Sequence, residues 1–174
     1  MTTAAKKLDL LRGQLLAQDR PRGALLVIYP PDEELAFRPG YEEVIQELQA
    51  HGVPYAVLDL RTLVYEVLEA RNLLERAFAL DAQGDRDARQ NLAGMVQRAL
   101  AARVLSAAND SPEAVLLCRH TASLFPWVSY SSLLEAIEGK IDNTLVIPFP
   151  GTESGPVLHF LGLKDGYNYR AARV

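Results

Sequence analysis

The stretch Ala24-Leu25-Leu26-Val27-Ile28-Tyr29 is apolar at every position and shows no alternation with polar residues. Such a run is typical of a strand that is covered on both faces in a parallel sheet. A second strand of this kind is predicted at residues 53–60. Between the two, apolar residues recur at helical spacing from Tyr41 to Leu48, and His51-Gly52 ends that helix. Strand, helix and strand form a βαβ unit with an expected right-handed crossover, so the sheet is at least partly parallel.

The rest of the chain continues this alternation of helices and strands. Apolar periodicity predicts further helices at residues 8–17, 62–80, 87–108 and 131–138. Short apolar runs predict strands at residues 115–118 and 144–147, and a closing strand pair at 157–161 and 167–172, joined across 162–166. We therefore predict an α/β protein, a single domain over residues 1–174 whose mainly parallel sheet has about four core strands, a C-terminal strand pair and helices on both faces.

Composition and charge favour a globular protein of the reducing cytoplasm. Of the 174 residues, 49% are hydrophobic and 23% are charged, which is far from the balance of a disordered chain. The net charge of −4 disfavours a protein that coats nucleic acid by electrostatics. Cys118 is the single cysteine and cannot form an internal disulfide. Because no stretch has the ~20 apolar residues that a membrane helix requires, we expect a cytoplasmic protein without a membrane span.

Three carboxylates are the candidates for a metal site. Asp32 and Glu33 follow the first predicted strand, and Asp59 lies at the end of the second. Open α/β sheets bind ligands at this edge, and carboxylates there can hold Mg²⁺. The favoured interpretation is local: Asp32 caps a turn, and Glu33 and Glu34 stabilise the positive start of a helix. We therefore assign no metal to the chain.

The sequence offers neither a nucleotide loop nor an assembled nucleophile. No glycine-rich phosphate loop follows the first strand, where Pro30-Pro31 removes the backbone donors that a phosphate needs. Cys118, His120 and Ser123 lie together at the end of the third predicted strand, but no oriented acid accompanies them. A lone cysteine that closes an apolar run is usually a core residue. The sequence thus predicts no cofactor, no catalytic residue and no ATP hydrolysis.

The C-terminal quarter carries the most specific motif of the chain. It reads Phe149-Pro150-Gly151-Thr152-Glu153-Ser154-Gly155-Pro156-Val157-Leu158-His159-Phe160-Leu161-Gly162, followed by Tyr167-Asn168-Tyr169-Arg170-Ala171-Ala172-Arg173. Its parts are each common, whereas their order and spacing together are not. Aromatic and branched residues suit the packed side of a strand pair, which predicts buried positions for Phe149, Val157, Phe160 and Tyr169. Gly151 and Gly155 are predicted to provide turn conformations.

This motif resembles the C-terminal signature of the BrxB family, a small component of BREX phage-defence systems. Residues 28–38 and 125–134 are also similar to that family. The chain carries Ser129 where the family has an arginine, and Arg119-His120 where members often carry a glycine. The positions that match the family's motifs, and to which we assign structural roles, are Tyr29, Pro30, Arg38, Pro126, Pro150, Gly151, Gly155, Phe160, Gly162 and Tyr169.

The resemblance implies a role in BREX, a multi-protein defence that modifies host DNA and blocks phage replication. It implies a non-catalytic interaction or scaffold subunit whose natural partner is the alkaline-phosphatase-like protein PglZ. Tyr167, Arg170 and Arg173 are the candidates for contacting a partner, because tyrosine and arginine are enriched at interfaces. A homo-oligomer stays open. So do two other classes of function, namely a metal-dependent hydrolase or nuclease that uses the three carboxylates, and a nucleic-acid-binding accessory.

Overall fold

Five parallel strands form the main sheet of the computed structural model. The structure describes residues 2–167 and 171–174, without the side chains of residues 166 and 167. The strands are β1 (Gly23–Tyr29), β2 (Tyr55–Asp59), β3 (Val115–Arg119), β4 (Thr144–Ser154), β5 (Val157–Phe160), β6 (Leu163–Tyr167) and β7 (Ala172–Arg173). The main sheet has the strand order β2-β3-β4-β1-β7. The helices are α1 (Thr3–Leu16), α2 (Glu34–Ala50), α3 (Leu63–Glu69), α4 (Leu74–Ala82), α5 (Arg86–Asp110) and α6 (Tyr130–Ile137). Short 3-10 segments, Pro31–Glu33 and Thr121–Leu124, follow β1 and β3.

The pairing of the strands confirms the predicted parallel sheet. β1 runs beside β4 over its full length, from Gly23 opposite Thr144 to Tyr29 opposite Pro150. β4 pairs in parallel with β3, and β3 with β2. The first two strands of the predicted βαβ unit are therefore parallel, but β4 and β3 lie between them. The sequence could not predict this strand order, because both strands are apolar and neither contains a residue that specifies which strand it pairs with.

Helices cover both faces of the sheet, as the unbroken apolar runs predict. Side chains that alternate along a strand point to opposite faces. Leu25 and Val27 pack against α1 and α2, whereas Leu26 and Ile28 pack against the layer of α3, α5 and α6. Burial of one such side chain contributes about 1.5–3 kcal/mol, so the two apolar layers are the main source of stability. The described residues thus form one compact α/β domain.

β4 is longer than predicted and leads the chain out of the main sheet. The sequence predicts its end at Ile147, whereas the strand runs to Ser154. β3 pairs with β4 only at Leu145 and Val146, so Pro148 lies beyond the part that is paired on two sides. A strand tolerates proline in such a position, because no second ladder needs the missing donor. The extension of β4 then pairs with β5 in antiparallel.

α2 begins seven residues before the predicted start. The apolar periodicity predicts a start at Tyr41, whereas the helix starts at Glu34 and contains Pro39. Phe37 is buried, and its ring stacks on those of Tyr29 and Tyr41. This packing fixes the first turns of the helix and outweighs the hydrogen bond that the proline removes.

The predicted helix over residues 62–80 is two helices. α3 ends after Glu69 and α4 starts at Leu74, with Asn72 between them in a left-handed conformation (φ 55°). Asparagine tolerates this conformation better than most residues, which makes it a natural break. The longer helix α5 follows. None of the described helices has both the length and the hydropathy to cross a membrane.

The closing strand pair exists, but its second strand was predicted too late in the sequence. β5 pairs with β6, so most of the predicted connection 162–166 is itself strand. The turn consists of Leu161 and Gly162 alone, both with positive φ (49° and 83°), which is the geometry of a tight two-residue hairpin. Ala172 lies in β7, parallel to β1, rather than in the hairpin. The positions between β6 and β7, residues 168–170, lie outside the described part of the chain.

The two glycines of the C-terminal motif have different roles. Gly155 adopts φ 59° in the turn between β4 and β5, which confirms the predicted turn. The prediction for Gly151 was wrong, because this residue lies within β4 opposite Phe160. A Cβ atom there would stand 2.2 Å from the carbonyl oxygen of His159 and 2.9 Å from the Phe149 ring. Gly151 therefore allows the backbones of β4 and β5 to approach closely, because it has no side chain.

Candidate functional site

The carboxylates that follow β1 are not assembled with Asp59 into a metal site. Glu33 accepts hydrogen bonds from the backbone N–H groups of Thr3 (3.3 Å) and Ala4 (2.5 Å), and so caps the start of α1. We expect it to stabilise the helix that follows, whereas it stabilises the helix that precedes it in sequence. Asp32 is exposed. Within residues 2–167 and 171–174, no three His, Cys, Asp or Glu side chains are grouped to hold a metal ion.

Asp59, at the end of β2, is bound by neighbouring side chains. Arg61 donates from Nη2 to Oδ2 at 2.7 Å and from its backbone nitrogen to Oδ1 at 3.0 Å. Nδ1 of His120 lies 3.2 Å from Oδ1. The hydrogen bonds from Arg61 hold the pKa of Asp59 well below its usual range, and His120 acts in the same direction. The carboxyl group of Asp59 is therefore ionised, and both of its oxygens already accept hydrogen bonds within the protein.

The side chains of Cys118, His120 and Ser123 make separate contacts. Cys118 lies in the core, and burial raises the pKa of its thiol to about 12. The hydroxyl oxygen of Ser123 lies 2.6 Å from the carbonyl oxygen of His120 and 3.1 Å from that of Leu60, and its one proton donates to these backbone acceptors. The imidazole of His120 contacts Asp59, so an acid does accompany this histidine, contrary to the sequence prediction; the two residues are 61 positions apart and only the fold joins them. Because a thiol with this pKa stays protonated near neutral pH, the three residues do not form an activated nucleophile.

A cleft of about 220 Å³ opens where α2 meets the ends of β1 and β3. We call it the carboxyl-edge cleft, and its lining residues are Tyr29, Glu34, Phe37, Arg38, Tyr41, Glu42, Arg119, His120, Thr121 and Pro148. β1 leads from this edge to α2 on one face of the sheet, whereas β3 leads to α6 on the other. Open α/β sheets bind ligands at the carboxyl ends of their strands, and the cleft lies at this edge of the sheet.

One wall of the carboxyl-edge cleft is aromatic. The rings of Tyr29 and Phe37 are nearly parallel with centroids 3.8 Å apart, and Phe37 stacks on Tyr41 at 5.4 Å. The hydroxyl group of Tyr29 donates to Glu34, and burial together with this bond raises the pKa of Tyr29 well above its usual value. The wall is thus a neutral, rigid surface.

Two ion pairs line the rest of the cleft. Nε of Arg38 lies 2.7 Å from a carboxylate oxygen of Glu34, and Arg119 pairs through Nη2 with Glu42. Arg119 ends β3, and Glu42 belongs to α2, so the second pair joins the sheet to the helix layer. The two arginines and two glutamates balance in charge. Selectivity in this cleft therefore depends on directed donors and acceptors more than on net charge.

A larger depression of about 540 Å³ lies beside the β5–β6 hairpin. We call it the hairpin groove, and it is lined by Gln90, Ala93, Gly94, Gln97, Phe125, Pro126, Trp127, Val128, Ser129, Phe160, Leu163, Lys164 and Asp165. Phe125 is 37% exposed and Leu163 is 59% exposed. Of these lining residues, Lys164 and Asp165 are the charged ones. An exposed aromatic centre with few charges has the composition of an interface core.

Asp165 fixes the hairpin to the start of α6. Its carboxylate oxygens accept from the backbone N–H groups of Tyr130 (3.3 Å) and Ser131 (3.2 Å). Its backbone carbonyl accepts from the hydroxyl group of Ser131 at 2.8 Å. Hydrogen bonds consequently hold together β6 and the start of α6, which border the hairpin groove.

The predicted C-terminal candidates fall partly outside the described residues. Phe149 and Phe160 are buried with centroids 5.0 Å apart, as predicted, and Val157 is half-buried. The backbone of Tyr167 ends β6. Nη1 of Arg173 lies 3.4 Å from Glu153. The side chain of Tyr167 and all of Tyr169 and Arg170 lie in the part that the structure does not describe.

A family model described as BREX protein BrxB matches residues 56–174, about two thirds of the chain. The chain belongs to the BrxB family. It is therefore a component of BREX phage defence. No curated protein and no solved structure matches the chain.

The BrxB match includes Asp59, β3, the whole hairpin groove and the C-terminal motif. Residues 28–38 lie before it, so the resemblance at that patch stays a prediction. Within the match, His120 has a left-handed backbone (φ 58°) directly after β3. Glycine adopts this conformation most readily. Here a histidine occupies the position and contacts Asp59.

Sequence reasoning gave Tyr29, Arg38, Pro126 and Phe160 structural roles, but it missed other residues that line the two depressions of this BrxB chain. Tyr41 follows the apolar periodicity of α2 and so resembles any core position. Arg119 and Glu42 are 77 residues apart, and only the fold joins them. Phe125, Pro126 and Trp127 do carry a signal, because consecutive aromatic residues around a proline in a predicted loop are typical of an exposed recognition surface.

Proposed function

We propose that this chain is a non-catalytic interaction subunit of a BREX complex and that a PglZ-like protein is its direct partner. The observation that carries the proposal is the hairpin groove. All of its lining residues belong to the part of the chain that matches the BrxB family. Its lining is mostly apolar and includes two exposed or partly exposed aromatic residues, Phe125 and Trp127, and the hairpin that borders it is fixed to α6 by hydrogen bonds to Asp165. Preorganisation of this kind lowers the cost of binding.

The engaged state of the carboxylates favours an interaction role over hydrolysis. Glu33 is used by the start of α1, and Asp59 by Arg61 and His120. A hydrolase or nuclease would need to release these bonds before the oxygens could hold a metal ion. Such a release breaks several charge-assisted hydrogen bonds, which are the stronger ones in proteins. The net charge of −4 in turn gives little support to direct nucleic-acid binding.

The C-terminal motif extends the proposed contact surface. Tyr167, Arg170 and Arg173 remain our candidates for contacting the partner. The backbone of Tyr167 ends β6, the strand whose first residue, Leu163, lines the hairpin groove. Anchors of this type each cost ~2 kcal/mol or more on truncation, or about thirtyfold in affinity.

The test is co-purification of tagged variants from cells that express the neighbouring BREX proteins. Leu163→Glu places a charge in the groove, and we expect it to weaken capture of the PglZ-like protein by at least about thirtyfold. Leu35→Glu is the matched control, because Leu35 is also exposed (82%) but lies on α2, away from the groove. Tyr167→Ala combined with Arg173→Ala tests the C-terminal candidates in the same way.

Folding is checked for each variant by its thermal midpoint. Capture that is equal for the parent and for both sets of variants would contradict the proposed surface. Loss of capture with Leu35→Glu as well would indicate a general effect of added negative charge. Capture of a second copy of the chain instead of a PglZ-like protein would assign the groove to a homo-oligomer.

A further inference from the structure

The carboxyl-edge cleft contains a buried hydroxyl group that nothing in the described part of the chain satisfies. Tyr41 lines the cleft from α2 and is 3% exposed, and its hydroxyl group has no hydrogen-bond partner among the described residues. Burial raises the pKa of Tyr41 well above its usual value, so the group is a neutral donor. Buried polar groups of native proteins are nearly always hydrogen-bonded, and an exception calls for a bound molecule or ion that would complete it.

Arg119 also lines this cleft, and it carries a second unused donor. Its Nη2 pairs with Glu42, while its Nε is buried and has no partner within residues 2–167 and 171–174. An Nε–H group can only donate, and the guanidinium group keeps its positive charge at all relevant pH values. Both unused groups are donors, so a bound molecule would complete them with acceptor oxygens, and a hydrogen bond from a guanidinium group is strongest when the acceptor is an anion.

The backbone beside these donors has an unusual conformation. His120 follows Arg119 and has φ 58°, a conformation that costs energy for a residue with a side chain. This conformation and the position of the cleft at the carboxyl ends of parallel strands both support a ligand site, in addition to the two unused donors. Strained residues of this kind cluster at binding sites because the surrounding structure holds them there.

We propose that the carboxyl-edge cleft binds a small molecule through an oxyanion, a phosphate or carboxylate group, that accepts hydrogen bonds from the Tyr41 hydroxyl group and from Nε of Arg119. The volume of about 220 Å³ equals that of roughly seven waters in the liquid, which suits the oxyanion and a short attached group rather than a complete dinucleotide. The stacked rings of Tyr29, Phe37 and Tyr41 offer this attached group an apolar wall. The site is separate from the hairpin groove and goes beyond the interaction role.

The experiment uses the full chain and two probes, inorganic phosphate and acetate, with chloride at the same ionic strength as the reference. We expect at least one probe to raise the thermal midpoint above that in chloride, with a rise that grows with probe concentration. Calorimetric titration gives the affinity. Tyr41→Phe removes only the hydroxyl group, and we expect it to weaken binding by about tenfold or more, because a hydrogen bond to a charged group is lost.

Controls separate a binding role from a structural one. Tyr41→Phe should be at least as stable as the parent in chloride, because the deleted hydroxyl group has no partner to lose. Tyr55→Phe removes a hydroxyl group outside the cleft and should bind the probe like the parent. If Tyr41→Phe does not fold, Arg119→Lys, which keeps the charge and loses Nε, should show the same weakening. An effect of phosphate alone assigns a phosphate ligand, and an effect of acetate alone assigns a carboxylate. No effect of either probe, or parent-like affinity in the variant, would overturn the proposal while leaving the interaction role intact.

Discussion

Substitution of Gly151 by alanine tests how tightly the C-terminal hairpin is joined to the main sheet. The added methyl group would stand 2.2 Å from the carbonyl oxygen of His159 and 2.9 Å from a Phe149 ring atom, whereas ordinary van der Waals contact begins at 3.4 Å. The first of these atoms belongs to the backbone of β5, which is paired with β4 at this point. It cannot rotate away, so the two strands must separate or the ring of Phe149 must move.

Overpacking of this kind typically costs 1–3 kcal/mol, and we expect Gly151→Ala to lose about 2 kcal/mol of stability. For a chain of this length, that lowers the thermal midpoint by about 4–8 °C. Gly13→Ala is the matched control, because Gly13 lies within α1 and a Cβ atom there meets nothing within 4 Å. It should stabilise the protein by about 0.5–1 kcal/mol. Equal midpoints for Gly151→Ala and the parent would refute the close approach.

Three further experiments test other parts of the structure. Cys118 should resist alkylation at pH 8 in the folded protein and react after unfolding in urea, because it is buried with a thiol pKa of about 12; stoichiometric labelling of the native chain would contradict its place in the core. Asp59→Asn should cost about 0.5 kcal/mol at pH 7, since the pair with Arg61 is partly exposed. The lowered pKa of Asp59 means that this difference is present above about pH 4 and shrinks as the pH falls further, which urea midpoints at pH 7 and pH 3 would measure; a difference that grows in acid would be inconsistent with the sign. Asp165→Ala removes the acceptor at the start of α6 and should cost about 1 kcal/mol of stability, whereas Asp165→Asn should retain part of this stabilisation. An unchanged thermal midpoint for the alanine variant would argue against a stabilising contact between the hairpin and α6.

The class of fold could be predicted from the sequence because burial on both faces leaves a direct trace. The unbroken run at residues 24–29 requires cover on two sides, and the structure supplies it with separate helix layers. The order of the strands leaves no such trace, since it depends on which apolar edges meet after the helices have packed. For the same reason, the sequence did not show that β2 lies at the far edge of the sheet.

Errors in the boundaries arose where tertiary contacts outweigh local preference. Apolar periodicity predicts that α2 starts at Tyr41, but the packing of Phe37 stabilises a helix that starts at Glu34. The hairpin turn at Leu161 and Gly162 was missed, because a leucine with positive φ is rare and gives no sequence signal. Once the turn was misplaced, the second strand was placed too late as well.

The candidate sites were less predictable than the fold. The carboxylates Glu33 and Asp59 follow neighbouring elements in sequence and were natural metal candidates, yet each is engaged by a different partner. The carboxyl-edge cleft depends on Tyr41 and Arg119, whose roles follow from an unsatisfied hydroxyl group and an unsatisfied Nε. Satisfaction of hydrogen bonds is a property of three-dimensional structure, and a pattern of residues does not encode it.

The central claim, that this BrxB chain acts by binding another BREX protein, is tested most directly by measuring the mass of what it forms. The chain is co-expressed with the neighbouring BREX proteins, purified through a tag on the chain alone, and analysed by light scattering after size exclusion. We predict a stable complex of defined stoichiometry that contains the PglZ-like protein and dissociates in the Leu163→Glu variant. Elution of the chain alone, with every BREX protein absent from its peak at micromolar concentration, would contradict the account.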